Sequence, residues 1–364
     1  MASLFDPFKL KGVTLRNRIA VPPMCQYTAE EGVINDWHRV HLAGIARGGA
    51  GLLIVEASAV SPEGRITPGC AGLWNDAQAA AFVPVVQAIK AAGAVPGIQL
   101  AHAGRKASAN RPWEGDDHMA EDDPRGWQTI APSAVAHGGG LSKLPQAMTR
   151  QEINRVQADF VAAAKRALEA GFEWLELHFA HGYLGQSFFS THSNHRDDLY
   201  GGSLENRSRF LLETVAAVRE VWPEHLPLTA RLGVIEYDGR DEETLAESIE
   251  LAKGFKQRGL DMLGVSIGFS TPKANIPWGP AFLGPIAQRV RNESGLPVSS
   301  AWGFGTPEVA QQAVQAGQLD LVMVGRGHLA DPHWPYQAAR ALGVERPSWT
   351  LPAPYAHWLE RYAA

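Results

Sequence analysis

The chain has 364 residues, 45% of them hydrophobic and 20% charged, with a formal net charge of -5 at pH 7 and a pI near 6.2. This is an ordinary globular composition, and the mildly acidic balance excludes the basic footprint of a nucleic-acid binder. No apolar run is long enough for a membrane span, the opening MASLFDPFKLKG lacks an apolar leader, and the two cysteines, Cys25 and Cys70, are too few for a four-cysteine iron–sulfur cluster, so a cytoplasmic protein without membrane or nucleic-acid partners is expected.

In chain order, Leu4–Leu15 reads as a hairpin plugging the bottom of a barrel. Eight short apolar runs follow, alternating with helical patterns: Arg18–Met24, Leu52–Ala57, Val95–Leu100, Trp174–His178, Leu228–Leu232, Met262–Ile267, Val298–Ala301 and Leu321–Gly325. Nearly unbroken apolar strands between amphipathic helices describe an α/β protein whose parallel sheet is covered on both faces. Eight such units close a single (β/α)8 TIM barrel.

Thr149 with Glu152 predicts a capping box, Ile153, Val156, Phe160, Ala164 and Ala167 one apolar helix face, and Gly171 the stop. Thr306 is expected to cap a later helix, with Pro307 in its first position and Gly317 at its end. Residues 102–148 form a long polar excursion after the third strand, as lids and binding loops do. Residues 346–364 read as a C-terminal arm that its prolines hold extended. With no linker or longer repeat, residues 1–364 are expected to form one domain.

Chemistry in such barrels sits at the C-terminal strand ends. The first ends Pro22-Pro23-Met24-Cys25-Gln26-Tyr27, a thiol and a phenol at the rim, although Cys25 would also serve as a small buried hydrophobe. At the second, Ala57 leaves room for a flat ligand, and at the third Gln99 offers both a donor and an acceptor to a heterocycle edge. The fourth carries His178, His181 and Tyr183: two imidazoles able to share a metal or donate to one oxygen, and a phenol placed to give a proton.

Arg231 lies within the fifth strand, where a buried cation needs an anion. No acid in its own run supplies one, and an anionic ligand would. The seventh and eighth end Ala301-Trp302-Gly303-Phe304-Gly305 and Gly325-Arg326-Gly327, the usual phosphate position of this fold. There glycines admit backbone N–H groups and Arg326 can grip two oxygens, though turn geometry alone would also account for the glycines. No GxGxxG precedes an acidic residue and no GxSxG occurs, so a nicotinamide would bind only transiently at the mouth.

Three motifs, NRIAVPPM over 17–24, HFAHGYL over 178–184 and YGGSLENRSRF over 200–210, make the chain resemble the old yellow enzyme family of flavin ene-reductases along nearly its whole length. Cys25, where yeast-type members carry threonine, is similar to the thermophilic-like subclass and its bacterial xenobiotic reductases. The resemblance implies a tightly bound FMN, with NADPH or NADH as transient hydride donor and no metal. It implies that Pro23, Met24, Cys25, Ala57, Gln99 and Arg231 surround the flavin ring, that Ala301 and Trp302 flank it, and that Gly303, Gly325 and Arg326 hold its phosphate.

By the same resemblance His178 and His181 bind the oxygen of an enone or nitro-type xenobiotic, Tyr183 protonates, Cys25 tunes the flavin, and Tyr27 and Trp302 shape the pocket. Related members insert an arginine from a neighbour's C-terminal arm, and Trp358 stands in that region here, which implies a homodimer or a higher symmetric homo-oligomer. The readings weighed against this are a metal-dependent barrel hydrolase, with His102 or an acid completing a site on His178 and His181, and a non-catalytic flavin-binding barrel.

Overall fold

β1 (Phe8–Leu10) and β2 (Val13–Leu15) pair as the expected antiparallel hairpin. Its tip lies under the barrel: Gly12 N–H donates to His225 O at 2.8 Å, and Lys11 pairs with Asp261 at 3.3 Å, both partners sitting just before barrel strands begin. This computed structural model describes residues 2–362, so Ala363 and Ala364 of the predicted arm lie outside the described residues.

The barrel is closed and parallel. β3 (Ile19–Val21), β4 (Leu52–Ala59) and β5 (Val95–Ala101) stand side by side, and β6 (Ile130–Ala131) and β7 (Gln146–Ala147) form a small separate pair in the excursion. β8 (Trp174–Phe179), β9 (Leu228–Ile235), β10 (Met262–Ile267), β11 (Val298–Ser300) and β12 (Leu321–Met323) complete the ring, with β12 against β3. The connecting helices are α1 (Asp36–Ala46), α2 (Asp76–Ala91), α3 (Arg150–Glu169), α4 (Leu184–Phe189), α5 (Leu204–Val221), α6 (Asp241–Gln257), α7 (Gly284–Ser294), α8 (Pro307–Gln315), α9 (Arg326–Ala330) and α10 (Trp334–Ala341). Their apolar faces and the outward strand residues share one core, in which Phe160 of α3 meets Phe179 of β8 edge-on at 6.2 Å.

Local signals explain most of the boundaries. α3 carries the predicted capping box, with Thr149 Oγ1 accepting from Glu152 N–H at 3.2 Å and Glu152 Oε2 accepting from Thr149 N–H at 2.7 Å. Thr306 begins α8 by its backbone alone and makes no side-chain cap bond, a departure from the reading above. The first strand is shorter than predicted: prolines lack the N–H a ladder needs, so it ends at Val21 and Pro22–Tyr27 leave the sheet as a rim turn. In β4, Val55 faces Ile98 and Ser58 faces Leu100, so Glu56 and Ala57 together oppose Gln99 in a β-bulge.

The excursion is pinned across the mouth. Arg105 donates to Ser270 O at 2.5 Å and Ala136 O at 3.2 Å, and His137 Nε2 lies 3.1 Å from Phe269 O. The tail corrects the extended-arm expectation. Residues Pro347–Thr350 form a tight turn and α11 (Ala353–Leu359) is helical, with Tyr355 3.4 Å from Arg47 at the end of α1. Prolines at the starts of these elements serve as helix initiators, for which their fixed φ is preorganised, and do not stretch the chain.

Candidate active site

The C-terminal mouth opens into a cavity of about 750 Å³. Of the residues singled out above, Pro23, Met24, His181, Arg231, Ala301, Trp302, Gly303, Gly325 and Arg326 line it. After β8 the backbone turns through two left-handed residues, His181 (φ 60) and Gly182 (φ 70), which bring the rings of His178 and His181 to 4.9 Å and place Tyr183 4.9 Å from His178.

The hydrogen bonds set the imidazole tautomers. Ala180 N–H donates to His178 Nδ1 at 3.2 Å, leaving the ring N–H on Nε2. His181 Nε2 lies 2.7 Å from Ser266 Oγ of β10, and that oxygen accepts the Trp302 indole N–H at 3.0 Å. The hydroxyl proton can then go to His181, which puts the ring N–H on Nδ1. Burial, reinforced by Arg231, holds both imidazoles well below the usual histidine range, so they are neutral donors. Burial also pushes the Tyr183 hydroxyl up, and it stays protonated.

Lys106 completes this corner, donating to His181 O at 3.0 Å with its ammonium 5.3 Å from the Tyr183 ring centre. Burial first, then Arg105, lowers its pKa to about 8, against the opposing pull of Asp116 and Glu236.

Arg231 faces the cavity beside His178, its register partner across β8 and β9. It is 6% exposed, and among the described residues its guanidinium makes no hydrogen bond or close ion pair. No acid of its own strand faces it, and Glu176, two residues before His178 on the neighbouring β8, acts on it electrostatically. Glu176 takes a hydrogen bond from Gln99 Nε2 at 2.7 Å and is pushed up by burial against the opposing pull of Arg231.

At the far end Gly303 has φ 83, and a Cβ there would lie 2.4 Å from Gly279 O. Ala281 N–H closes on Gly303 O at 2.8 Å. A Cβ on Gly325 would press on Pro22 and Met24 at 3.3 and 3.4 Å. Arg326 is exposed and pairs with no carboxylate among the described residues. A buried unpaired guanidinium and glycine-lined backbone beside a free arginine suit a ligand with an anionic edge and a phosphate.

On the opposite rim Cys25 and Tyr27 are half-buried, with Ala57 and Gln99 buried beside them. Tyr27, at φ 55, packs edge-on against Trp113 of the excursion at 5.8 Å and its carbonyl accepts from Arg111 at 2.9 Å. Trp358 does not line this cavity; it is 72% exposed on α11. His102 turns away, its Nδ1 accepting from Gly104 N–H at 3.0 Å, and among the described residues no third ligand joins His178 and His181.

Sequence reasoning missed Ser266, Glu176, Lys106, Phe269 and Trp278. Trp278 lies 5.3 Å from Trp302 and walls the cavity with Phe269. Lys106, four residues beyond His102, sits in the segment already expected to be a lid and was the easiest of these to find.

The family model described as the NADH:flavin oxidoreductase / NADH oxidase family matches residues 3–345. An NADPH dehydrogenase of Geobacillus thermodenitrificans is 39% identical over 344 residues, covering 94% of this chain and 95% of its own length. Among solved structures, morphinone reductase in complex with tetrahydroNAD is 30% identical with a TM-score of 0.78, over 95% of this chain and 92% of its own. The old yellow enzyme homologue from Zymomonas mobilis is 29% identical with a TM-score of 0.78, over 94% of each chain.

Proposed function

From the premise that the chain belongs to the NADH:flavin oxidoreductase / NADH oxidase family, as an FMN-dependent NAD(P)H oxidoreductase of the old yellow enzyme type, we propose that it reduces the activated C=C bond of α,β-unsaturated carbonyls. The observation that carries the reading is the meeting of two neutral imidazoles and a protonated phenol, with His178 4.9 Å from both His181, which lines the cavity, and Tyr183.

A substrate carbonyl oxygen placed between His178 and His181 receives two N–H donors, and these strengthen as charge moves onto it. Both rings are held by other bonds, so little reorganisation is needed. Tyr183, kept protonated by burial, gives its proton only to a strongly basic atom such as the α-carbon of the developing enolate. FMN, when bound, would supply hydride chemistry, with NADPH or NADH as the source of reducing equivalents. Arg231, which lines the cavity, would balance the negative edge of the reduced cofactor. Pro23, Met24, Cys25, Ala57, Gln99, Ala301 and Trp302 would flank its ring, and Gly303, Gly325 and Arg326 would hold its phosphate.

Tyr27 and Trp302 bound the space left for substrate, and a nitro group could present its oxygens to the same two donors. Cys25 would act on the flavin and not as a nucleophile, because burial raises its thiol and no general base stands beside it in the sequence. A second copy of the chain would bring Trp358 to this mouth, consistent with its exposure beside Trp349 and Tyr355.

The test is an anaerobic titration. NADPH should bleach the yellow enzyme and 2-cyclohexenone should restore the colour with one equivalent of saturated ketone. Bleaching without reoxidation by any enone would leave the flavin oxidoreductase standing and remove the enone.

A further inference from the structure

Behind the rim turn that carries Cys25 lies a buried acid–imidazole pair that the proposed reaction leaves without a task. Glu56 and His38 are both sealed from solvent, with His38 Nε2 3.2 Å from Glu56 Oε1. His38, in the first turn of α1, has Nδ1 3.2 Å from both the backbone N and the side-chain Oδ1 of Asn35, and turns Nε2 toward Glu56 without an aligned hydrogen bond. The other oxygen, Glu56 Oε2, accepts the backbone N–H of Gln26 at 2.9 Å.

The Gln26 side chain ties the turn further. Its Nε2 donates to Met24 O at 2.9 Å, and its Oε1 accepts from Trp37 Nε1 at 3.0 Å. The bulge in β4 makes the contact between Glu56 and the Gln26 amide possible. With Glu56 and Ala57 sharing the place opposite Gln99, the carboxylate turns under the rim to meet the Gln26 amide. A carboxylate buried this deeply persists only where partners compensate its lost hydration, and these partners all serve the residues around Cys25.

We propose that the Glu56–His38 pair is the positioning device for Cys25: it fixes the turn that carries the thiol and holds the Glu56 carboxyl group behind it. The inference goes beyond enone reduction and does not depend on it. The charged and titratable groups that act on the thiol are Glu56 from β4, Cys70 from the segment after β4, Tyr27 from its own turn and Tyr183 from the turn after β8. Among them Glu56 is the acid that raises the thiol. Burial first and Glu56 second hold the thiol above its ordinary range, so Cys25 remains a neutral thiol, slow to alkylate and slow to oxidise. The flavin would therefore meet a neutral sulfur at a fixed position.

The test uses the flavin-loaded enzyme. Glu56→Gln keeps the size and one acceptor for Gln26 while removing the charge. Alkylation of Cys25 by iodoacetamide, separated from Cys70 by peptide mapping, should shift to lower pH, and its rate at neutral pH should rise about tenfold, the effect of removing one nearby like charge. The midpoint potential of bound FMN should move as well, and should stop responding to Glu56→Gln in a Cys25→Ser background. An unchanged alkylation profile overturns the proposal, as does a potential shift that persists in full without Cys25. If Glu56→Gln gives no folded flavoprotein, His38→Gln carries the test. It keeps the carboxylate and releases its clamp, so alkylation should quicken at every pH with the midpoint unmoved, and an unchanged rate overturns the proposal. An enzyme that fails to reduce enones leaves every one of these readouts intact.

Discussion

Gln99 donates its side-chain amide to the carboxylate of Glu176 at 2.7 Å, and this one bond decides which way Gln99 faces the cavity. With Nε2 committed to Glu176, Oε1 is left to accept from whatever lies above. Glu176 also stands near Arg231 without pairing to it closely, so the cation that faces the ligand is partly offset from below.

Removing that offset should favour the anionic, reduced cofactor. Glu176→Gln keeps an acceptor for Gln99, and the midpoint potential of bound FMN should rise by on the order of 30 mV, a tenfold change for a two-electron couple. Spectroelectrochemistry against a reference dye measures it. A potential that stays put or falls would show that Glu176 does not act through Arg231.

Ser266 and His181 should separate donation from orientation. His181→Ala deletes a donor and should slow the enone half-reaction by about 100- to 1000-fold with FMN still bound. Ser266→Ala leaves both His181 and Trp302 in place but unhitched from their shared oxygen. It should cost less in rate than His181→Ala and should loosen selection between small and bulky enones. Stopped-flow reoxidation with a graded series of ketones reads both, and a Ser266→Ala enzyme indistinguishable from wild type would remove the hydroxyl from the account.

Tyr183→Phe should leave flavin reduction by NADPH nearly unchanged and slow reoxidation by ordinary enones. Because burial keeps the phenol protonated, no ionisation of Tyr183 should mark the profile between about pH 5 and 9. An unaltered reoxidation rate in the variant would assign the proton to solvent.

Lys106 should give the site a pH dependence for anions. Its pKa is lowered to about 8, chiefly by burial. Below that value it is a cation beside His181, and above it the charge is lost. Benzoate, an anion throughout this range, should bind more weakly as pH rises through about 8, while benzamide should not respond. Lys106→Met should abolish the difference. A base with a depressed folded pKa stabilises the fold least when charged, so stability should also fall as pH drops from about 10.4 toward 8. Flavin-fluorescence titrations at several pH values check the binding, and parallel curves for the two ligands would remove Lys106 from the site.

The exposed aromatic side chains of the tail should prove to be an interface. Ending the chain after Pro352 removes Tyr355 and Trp358 and should lower the assembly state in sedimentation velocity and change kinetics on bulky enones, with FMN retained. Parent and truncated proteins of equal mass state and equal kinetics would leave the tail a cover for its own α1.

Much of the molecule was readable before any coordinates because its signals are local or periodic. The eight apolar runs, the Thr149–Glu152 box and the glycines flanking Arg326 each act within a few residues of chain, where propensity, capping and turn geometry operate. The approach of His178, His181 and Tyr183 was legible for the same reason, since one turn carries all three. What only the tertiary structure decided lies between strands. Ser266 reaches His181 from β10, Glu176 offsets Arg231 from β8, and Glu56 meets His38 of α1 because a bulge of one residue redirects β4. Such pairings depend on the register in which the barrel closes, and a shift of one residue would send each side chain to the opposite face. The tail shows the same limit from the other side: its prolines suit an extended arm or a helix start equally well, and packing against α1 selected the helix.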